Sequence, residues 1–137
     1  MTNSMKAVRL HAFGGPEVLR YEDAPRPVPA PGEVLVRVHA ASLNPPDWYL
    51  RDGYRSLPPE WQPSPVFPLI LGSDVSGVVE TVGPGVADFA PGDDVYAMVR
   101  FPADAMEGNK AYAEYVAVPA SDLARKPAGI DHVHAAG

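Results

Sequence analysis

Apolar and polar positions alternate along the chain in short segments that proline and glycine separate. The longest segment covers residues 33–43, with Val34, Val36 and Val38 on one face and Leu35, Arg37 and His39 on the other. Such alternation is typical of a β-strand with one buried face. We therefore predict strands at residues 5–10, 18–21, 33–43, 75–82, 93–99, 111–118 and 123–127.

Residues 69–86 combine a strong strand signal with an unusual glycine. The segment turns at Gly72, continues through mostly β-branched residues and stops at the Gly-Pro-Gly of 83–85. Gly77 inside the strand indicates a bulge, or a close approach of a backbone or a ligand. Ser73 and Asp74 are expected at the mouth of the strand, where sites are often built. A phosphate-binding loop is not predicted, because the glycines are widely spaced and no lysine follows them.

Residues 44–53 carry the signals of a short helix. Asn44 is a preferred N-cap residue, Pro45 suits the first helical position, and Gly53 suits the position after the helix. Asp47 falls in the first turn, where the helix dipole favours a carboxylate. Residues 54–68 then form a proline-rich loop whose aromatic side chains indicate either a lid or substrate wall, or ordinary packing.

The length, charge and residue composition of the chain exclude several kinds of partner and binding site. The chain has 137 residues, which fits one domain, and its 17 prolines and 12 glycines favour short strands over long helices. A net charge of -6 argues against nucleic acid and acidic membranes as main partners. With no cysteine there is no disulfide and no thiolate metal ligand, and His39 lacks a second ligand at suitable spacing. No signal peptide or membrane-spanning run is present, so we expect a cytoplasmic protein.

Several short motifs follow one another over nearly the whole chain. They are Lys6-Ala7-Val8 with the Phe-Gly-Gly-Pro of 13–16, Pro-Gly-Glu-Val-Leu-Val at 31–36, Asn44-Pro45-x-Asp47-x-Tyr49-x-Arg51-x-Gly53, Gly72-x-Asp74-x-x-Gly77-x-Val79, Gly92-Asp93-x-Val95, Ala113-Glu114-Tyr115 and Lys126-Pro127. From Met5 to Gly137 the chain therefore resembles the catalytic domain of medium-chain dehydrogenase/reductases. The resemblance is strongest to their zinc-independent NADPH:quinone oxidoreductase branch.

The resemblance implies a fold and a domain organisation. We expect a mainly β, GroES-like, partly open barrel with a few short helices, formed by residues 1–137 as the catalytic, substrate-binding domain. Family members continue into a Rossmann domain, whose strand-to-helix Gly-x-Gly-x-x-Gly is absent from this chain. We therefore expect the first domain of a longer enzyme or a truncated chain, inactive by itself.

The resemblance also implies which residues carry the chemistry. Zinc-dependent relatives have a cysteine where Asn44 stands and a His-Glu pair where Ser73 and Asp74 stand, so no zinc is expected. Without a metal, preorganised donors must stabilise charge on the substrate oxygen. The candidates are the side chains of Asn44, Tyr49 and Ser73, and the first two are also expected beside the nicotinamide. Asp47, Asp74 and Trp48 are expected to orient the substrate or to be structural.

Taken together, the resemblance implies the catalytic domain of an NADPH-dependent, zinc-free oxidoreductase that reduces quinones or activated C=C and C=O bonds by hydride transfer. Its partner is a small-molecule substrate, and the full-length enzyme is expected to be a homodimer. One alternative is an enoyl-thioester reductase of the same superfamily. Another, from a different class, is a co-chaperonin or binding module that shares the barrel.

Overall fold

The computed structural model describes residues 3–100 and 109–137. The sequence also predicts a polar loop at residues 101–110, most of which lies outside the described residues. The strands β1–β8 are Ser4–Leu10, Leu19–Pro25, Glu33–Ala41, Leu69–Ile70, Asp74–Val82, Asp94–Met98, Tyr115–Pro119 and Leu123–Arg125. Helix α1 is Pro45–Asp52 and α2 is His132–Ala135, and one-turn 3-10 helices lie at Pro16–Val18, Pro59–Trp61 and Ala120–Asp122. The prediction of a mainly β domain with a few short helices is confirmed.

The strands form two antiparallel sheets. The smaller sheet has the order β2-β1-β4, and the larger has the order β7-β3-β5-β6-β8. The main core cluster is built from alternate residues of the larger sheet, above all its buried valines at 34, 36, 75, 79, 95, 116 and 118. This burial explains why the valine-rich segments form strands, since β-branched side chains pack well on a pleated surface.

Strands β3 and β5 lie unusually close where Gly77 faces Val38. A Cβ atom built on Gly77 would lie 2.1 Å from the carbonyl oxygen of Arg37, which is a backbone atom and cannot rotate away. The predicted close approach of another backbone to Gly77 is therefore confirmed.

The predicted alternation along β3 is correct for most positions and wrong for one. Val34 and Val36 are fully buried, and His39 is exposed as expected. Leu35, assigned to the face of Arg37 and His39, is nevertheless buried. The register shift between Leu35 and Val36 leaves out Glu80 of β5, whereas β3 pairs with β7 without a break from Glu33 to Arg37. The two-residue period of β3 is therefore kept, and Leu35 is buried because the second face of β3 is also covered at this position.

Residues 109–114, here called the joining segment, connect the two sheets. The predicted strand at 111–118 is wrong for this part, because β7 begins only at Tyr115. The backbone of the joining segment bonds instead to Ile70 at the end of β4 and to the two residues after it, to Lys6 and Val8 of β1, and to Val38 of β3. The backbone of the joining segment therefore bonds to three parts of the chain and does not form a regular ladder with any one strand.

A second cluster fixes α1 against the smaller sheet. Leu50 of the helix packs with Leu10, Leu69 and Leu71, all buried. The helix ends at Gly53, whose φ of 82° is the left-handed conformation that the sequence predicted for it. The start of α1 thereby lies beside the turn that leads into β5.

Helix α2 closes the far end of the described chain. The sequence predicts the start of a helix within residues 130–137, with Asp131 as its cap. The structure agrees, because the Asp131 carboxylate accepts the backbone N–H of His134 at 2.8 Å. The ring of His132 lies 2.7 Å from the Ser76 hydroxyl through Nδ1, and its centroid is 4.5 Å from that of His39. Burial, with the charge of His132, lowers the pKa of His39. Within the described residues, neither helix has the length and apolar character needed to cross a bilayer.

Candidate active site

Asp47 is a buried carboxylate at which three parts of the chain meet. Its Oδ2 accepts the backbone N–H of Asn44 and the hydroxyl of Tyr112, both at 2.9 Å, and its Oδ1 accepts the N–H of Gly72 at 3.1 Å. The first contact caps α1, as the sequence predicted for Asp47. The other two hold the helix against the joining segment and against the turn before β5.

Asp74, the first residue of β5, organises a second group of polar side chains. Its Oδ2 accepts the amide of Asn44 at 2.6 Å and the hydroxyl of Ser42 at 3.2 Å. The Asn44 amide also donates to Ser42 Oγ at 2.9 Å. Both hydrogens of the Asn44 amide are therefore engaged, so a donor role toward substrate remains a prediction that requires one of these contacts to open.

Lys110 lies next to Ser73 in the same region. Its ammonium donates to Ser73 Oγ at 2.9 Å, although only 7% of the residue is exposed. Burial lowers the pKa of the Lys110 ammonium, and the nearby carboxylates of Asp47 and Asp74 act in the opposite direction. The site thus combines two carboxylates with one buried cation.

The Tyr112 hydroxyl serves the site as a structural donor. It donates toward Asp47 Oδ2 and toward the Ser42 carbonyl oxygen at 3.1 Å. Burial raises the pKa of Tyr112 far above its ordinary value, and the adjacent Asp47 and Asp74 carboxylates raise it further. The phenol is therefore protonated at neutral pH and donates its hydrogen within the cluster.

Trp48 and Tyr49 lie on the exposed side of α1. Trp48 is 41% exposed and Tyr49 is 48% exposed, and their ring centroids are 5.7 Å apart. No described residue forms a hydrogen bond with the Tyr49 hydroxyl, so this group is accessible to a ligand. Of the loop aromatics, Tyr54 and Phe67 pack on the Leu50 cluster, whereas Trp61 remains 70% exposed.

The structure thus brings Asn44, Asp47, Ser73 and Asp74 together and leaves Trp48 and Tyr49 exposed on the same helix; their roles in substrate or cofactor binding stay predictions. Three further residues complete the cluster, namely Ser42, Lys110 and Tyr112. The sequence analysis missed them, because Ser42 and Tyr112 lie in predicted strands and Lys110 lies at the end of the predicted polar loop. Across residues 3–100 and 109–137, no group of three or more His, Asp or Glu side chains is placed to hold a metal ion.

Comparison with known proteins identifies the family of the domain. The model of the alcohol dehydrogenase GroES-like domain matches residues 30–128. The chain belongs to this family. It is 38% identical to human quinone oxidoreductase over 128 residues, which cover 93% of the chain and 35% of that relative.

Solved structures give the same assignment. The quinone oxidoreductase from Coxiella burnetii superposes with a TM-score of 0.81 at 33% identity, over 97% of this chain and 40% of that one. A mycobacterial protein solved in complex with NADPH superposes at 0.78 with 35% identity, over 96% of this chain and 37% of that one. The predicted GroES-like fold and the resemblance to quinone oxidoreductases are confirmed. The chain spans about a third of the length of the curated relatives that it matches.

Proposed function

We propose that this domain is the substrate-binding, catalytic part of a zinc-free, NADPH-dependent oxidoreductase that transfers hydride to quinones or to activated C=C and C=O bonds. The observation that carries the proposal is the polar cluster around Asp47 and Asp74, found in a domain whose relatives are named quinone oxidoreductases. When bound, the dinucleotide supplies the hydride. The domain's own residues supply the polar groups that face the charge formed on the substrate.

The residues present fit the nicotinamide end of the cofactor. Trp48 and Tyr49 offer exposed aromatic surface for a flat ring, and the Tyr49 hydroxyl is accessible for a polar contact. The domain's sequence has no strand-to-helix glycine fingerprint for the pyrophosphate. We therefore propose that the phosphates are held by a separate Rossmann domain, and that the dinucleotide enters this domain only with its nicotinamide.

Without a metal, charge on the substrate oxygen must be met by hydrogen-bond donors that are already oriented. Ser73 is held in place by Lys110, so its hydroxyl needs little reorganisation when charge develops. Asn44 can donate to the substrate once it releases one of its contacts with Ser42 and Asp74. Tyr49 adds a hydroxyl from the exposed side of the helix. This arrangement suits a reaction in which hydride arrives at carbon and negative charge appears on oxygen.

A panel of quinones and enones tests the proposal in the protein that carries this domain together with its dinucleotide domain. NADPH absorbance should fall only when a substrate is present, and a zinc chelator should leave the rate unchanged. Failure of every quinone and enone, or loss of the rate with the chelator, would contradict the proposal. Calorimetry on the 137-residue chain provides a second test, because a micromolar affinity for NADPH would show that the phosphates are held here after all.

A further inference from the structure

The contact between Lys110 and Ser73 points to a further role for Lys110, beyond holding Ser73 in place. A lysine that is 93% withdrawn from solvent is uncommon unless its charge is used or compensated. Lys110 is anchored by its backbone, since its N–H donates to Ile70 O at 3.1 Å and the next two N–H groups donate to Gly72 and Leu71. The ammonium therefore reaches Ser73 from a fixed base immediately beside the turn that carries Ser73.

The hydrogen bond fixes the direction of the Ser73 hydroxyl. The ammonium of Lys110 has only hydrogens to offer, so Ser73 Oγ must act as the acceptor in this contact. No described residue accepts the remaining hydrogen of Ser73. Because Ser73 is only half-buried, that hydrogen is available to a ligand.

The charges around the pair explain why a cation is needed there. Asp47 and Asp74 bring two carboxylates close to Lys110, and Tyr112 on the joining segment stays neutral. The two carboxylates would repel the negative charge that forms on a substrate oxygen. The Lys110 ammonium beside Ser73 offsets this repulsion.

We propose that Lys110 is a positioning residue for Ser73, and that together they donate a proton to the substrate oxygen; this inference rests on the proposed function. Hydride from the dihydronicotinamide adds to the substrate carbon, and the displaced electron pair moves onto the substrate oxygen. That oxygen takes the hydroxyl proton of Ser73, and Ser73 Oγ takes a proton from Lys110. The neutral amine of Lys110 regains its proton from water.

The first test needs no activity and uses the 137-residue chain. Lysine labelled with 13C at Cε reports the titration of each ammonium by NMR, and the signal missing in Lys110→Arg identifies Lys110. Its midpoint should lie below those of the exposed lysines and should fall further in Ser73→Ala, because the variant lacks the acceptor that stabilises the charged form. A midpoint that does not move in Ser73→Ala would overturn the proposed pairing.

The second test uses kinetics in the protein with its dinucleotide domain. Lys110→Met should lower kcat about 10- to 100-fold with KM within about twofold, because the lost group acts on the transition state. The wild-type rate should fall at alkaline pH, where Lys110 loses its proton. Lys110→Arg should keep kcat low, because a guanidinium restores the charge but does not give up a proton to Ser73. Lys6→Met, a substitution of an exposed lysine paired with Asp23, serves as the control and should match wild type.

The outcomes separate the two proposals. If wild type reduces no quinone or enone, the proposed function fails, while the NMR titration still decides whether Lys110 and Ser73 are coupled. If wild type is active and Lys110→Met keeps both the wild-type kcat and the fall in rate at alkaline pH, the proposed role of Lys110 is wrong. If Lys110→Met does not fold, Ser73→Ala is used in its place. The fall in the rate of Ser73→Ala on the alkaline side should then occur at lower pH than in wild type.

Discussion

Replacing Asp47 by asparagine removes one charge and one acceptor from the point where α1, the turn before β5 and the joining segment meet. The two Asp47 oxygens accept three donors, two at Oδ2 and one at Oδ1. Asparagine is nearly the same size, so packing is conserved. The substitution therefore isolates the hydrogen bonds from the volume of the side chain.

The size of the effect follows from the best arrangement that asparagine can adopt. Its oxygen can take the place of Oδ2 and keep the contacts with Asn44 and Tyr112, but its NH2 group then faces the buried N–H of Gly72. A lost hydrogen bond to a charged group, with a donor left unsatisfied, costs about 1.5–3 kcal/mol. We therefore expect Asp47→Asn to lower the free energy of unfolding by about 2–3 kcal/mol, or Tm by roughly 10 °C in a domain of this size.

Urea denaturation followed by circular dichroism measures this change, and the same helix offers a matched control. Asp52→Asn also replaces one carboxylate of α1, but Asp52 pairs only with Arg55 at the surface. A surface pair contributes at most about 1 kcal/mol. If Asp47→Asn destabilises the chain no more than Asp52→Asn, the interpretation of Asp47 as the structural centre of the site is wrong.

Three further predictions concern other parts of the domain. Gly77→Val should lower the free energy of unfolding by more than about 2 kcal/mol through overpacking, whereas Gly129→Val, where nothing lies within 4 Å, should be nearly neutral; equal denaturation midpoints would contradict the close approach at Gly77. Tyr49→Phe in the protein with its dinucleotide domain should lower kcat by about 10²-fold with little change in KM, and a wild-type kcat would remove the hydroxyl from the mechanism. Elemental analysis of untagged protein should show no stoichiometric zinc, and one zinc per chain would contradict the zinc-free proposal.

The elements that depend on neighbours in the sequence could be predicted well. Helix α1 begins after Asn44 and ends before Gly53 because its start and stop signals are local. The strands follow from their alternation, and the close approach at Gly77 follows from a glycine in an otherwise β-branched segment. Each of these signals lies within about ten residues, which is the range over which a sequence pattern carries structural information.

The contacts that complete the site could not be predicted in this way. Tyr112 reaches Asp47 across 65 positions, and Lys110 reaches Ser73 across 37. Such contacts depend on how β1, β4 and the joining segment are stacked, which no local pattern specifies. Leu35 illustrates the same limit, because its face of the strand is covered by other parts of the fold, which the alternation along β3 does not specify.

The joining segment has a consequence for how this domain can evolve. The same short segment connects the sheets through its backbone and supplies Lys110 and Tyr112 to the site through its side chains. A substitution in the joining segment that changes the chemistry of the site therefore also risks weakening the fold. The exposed rings of Trp48, Tyr49 and Trp61 carry no such double constraint, so the fold should tolerate substitutions at these positions more readily.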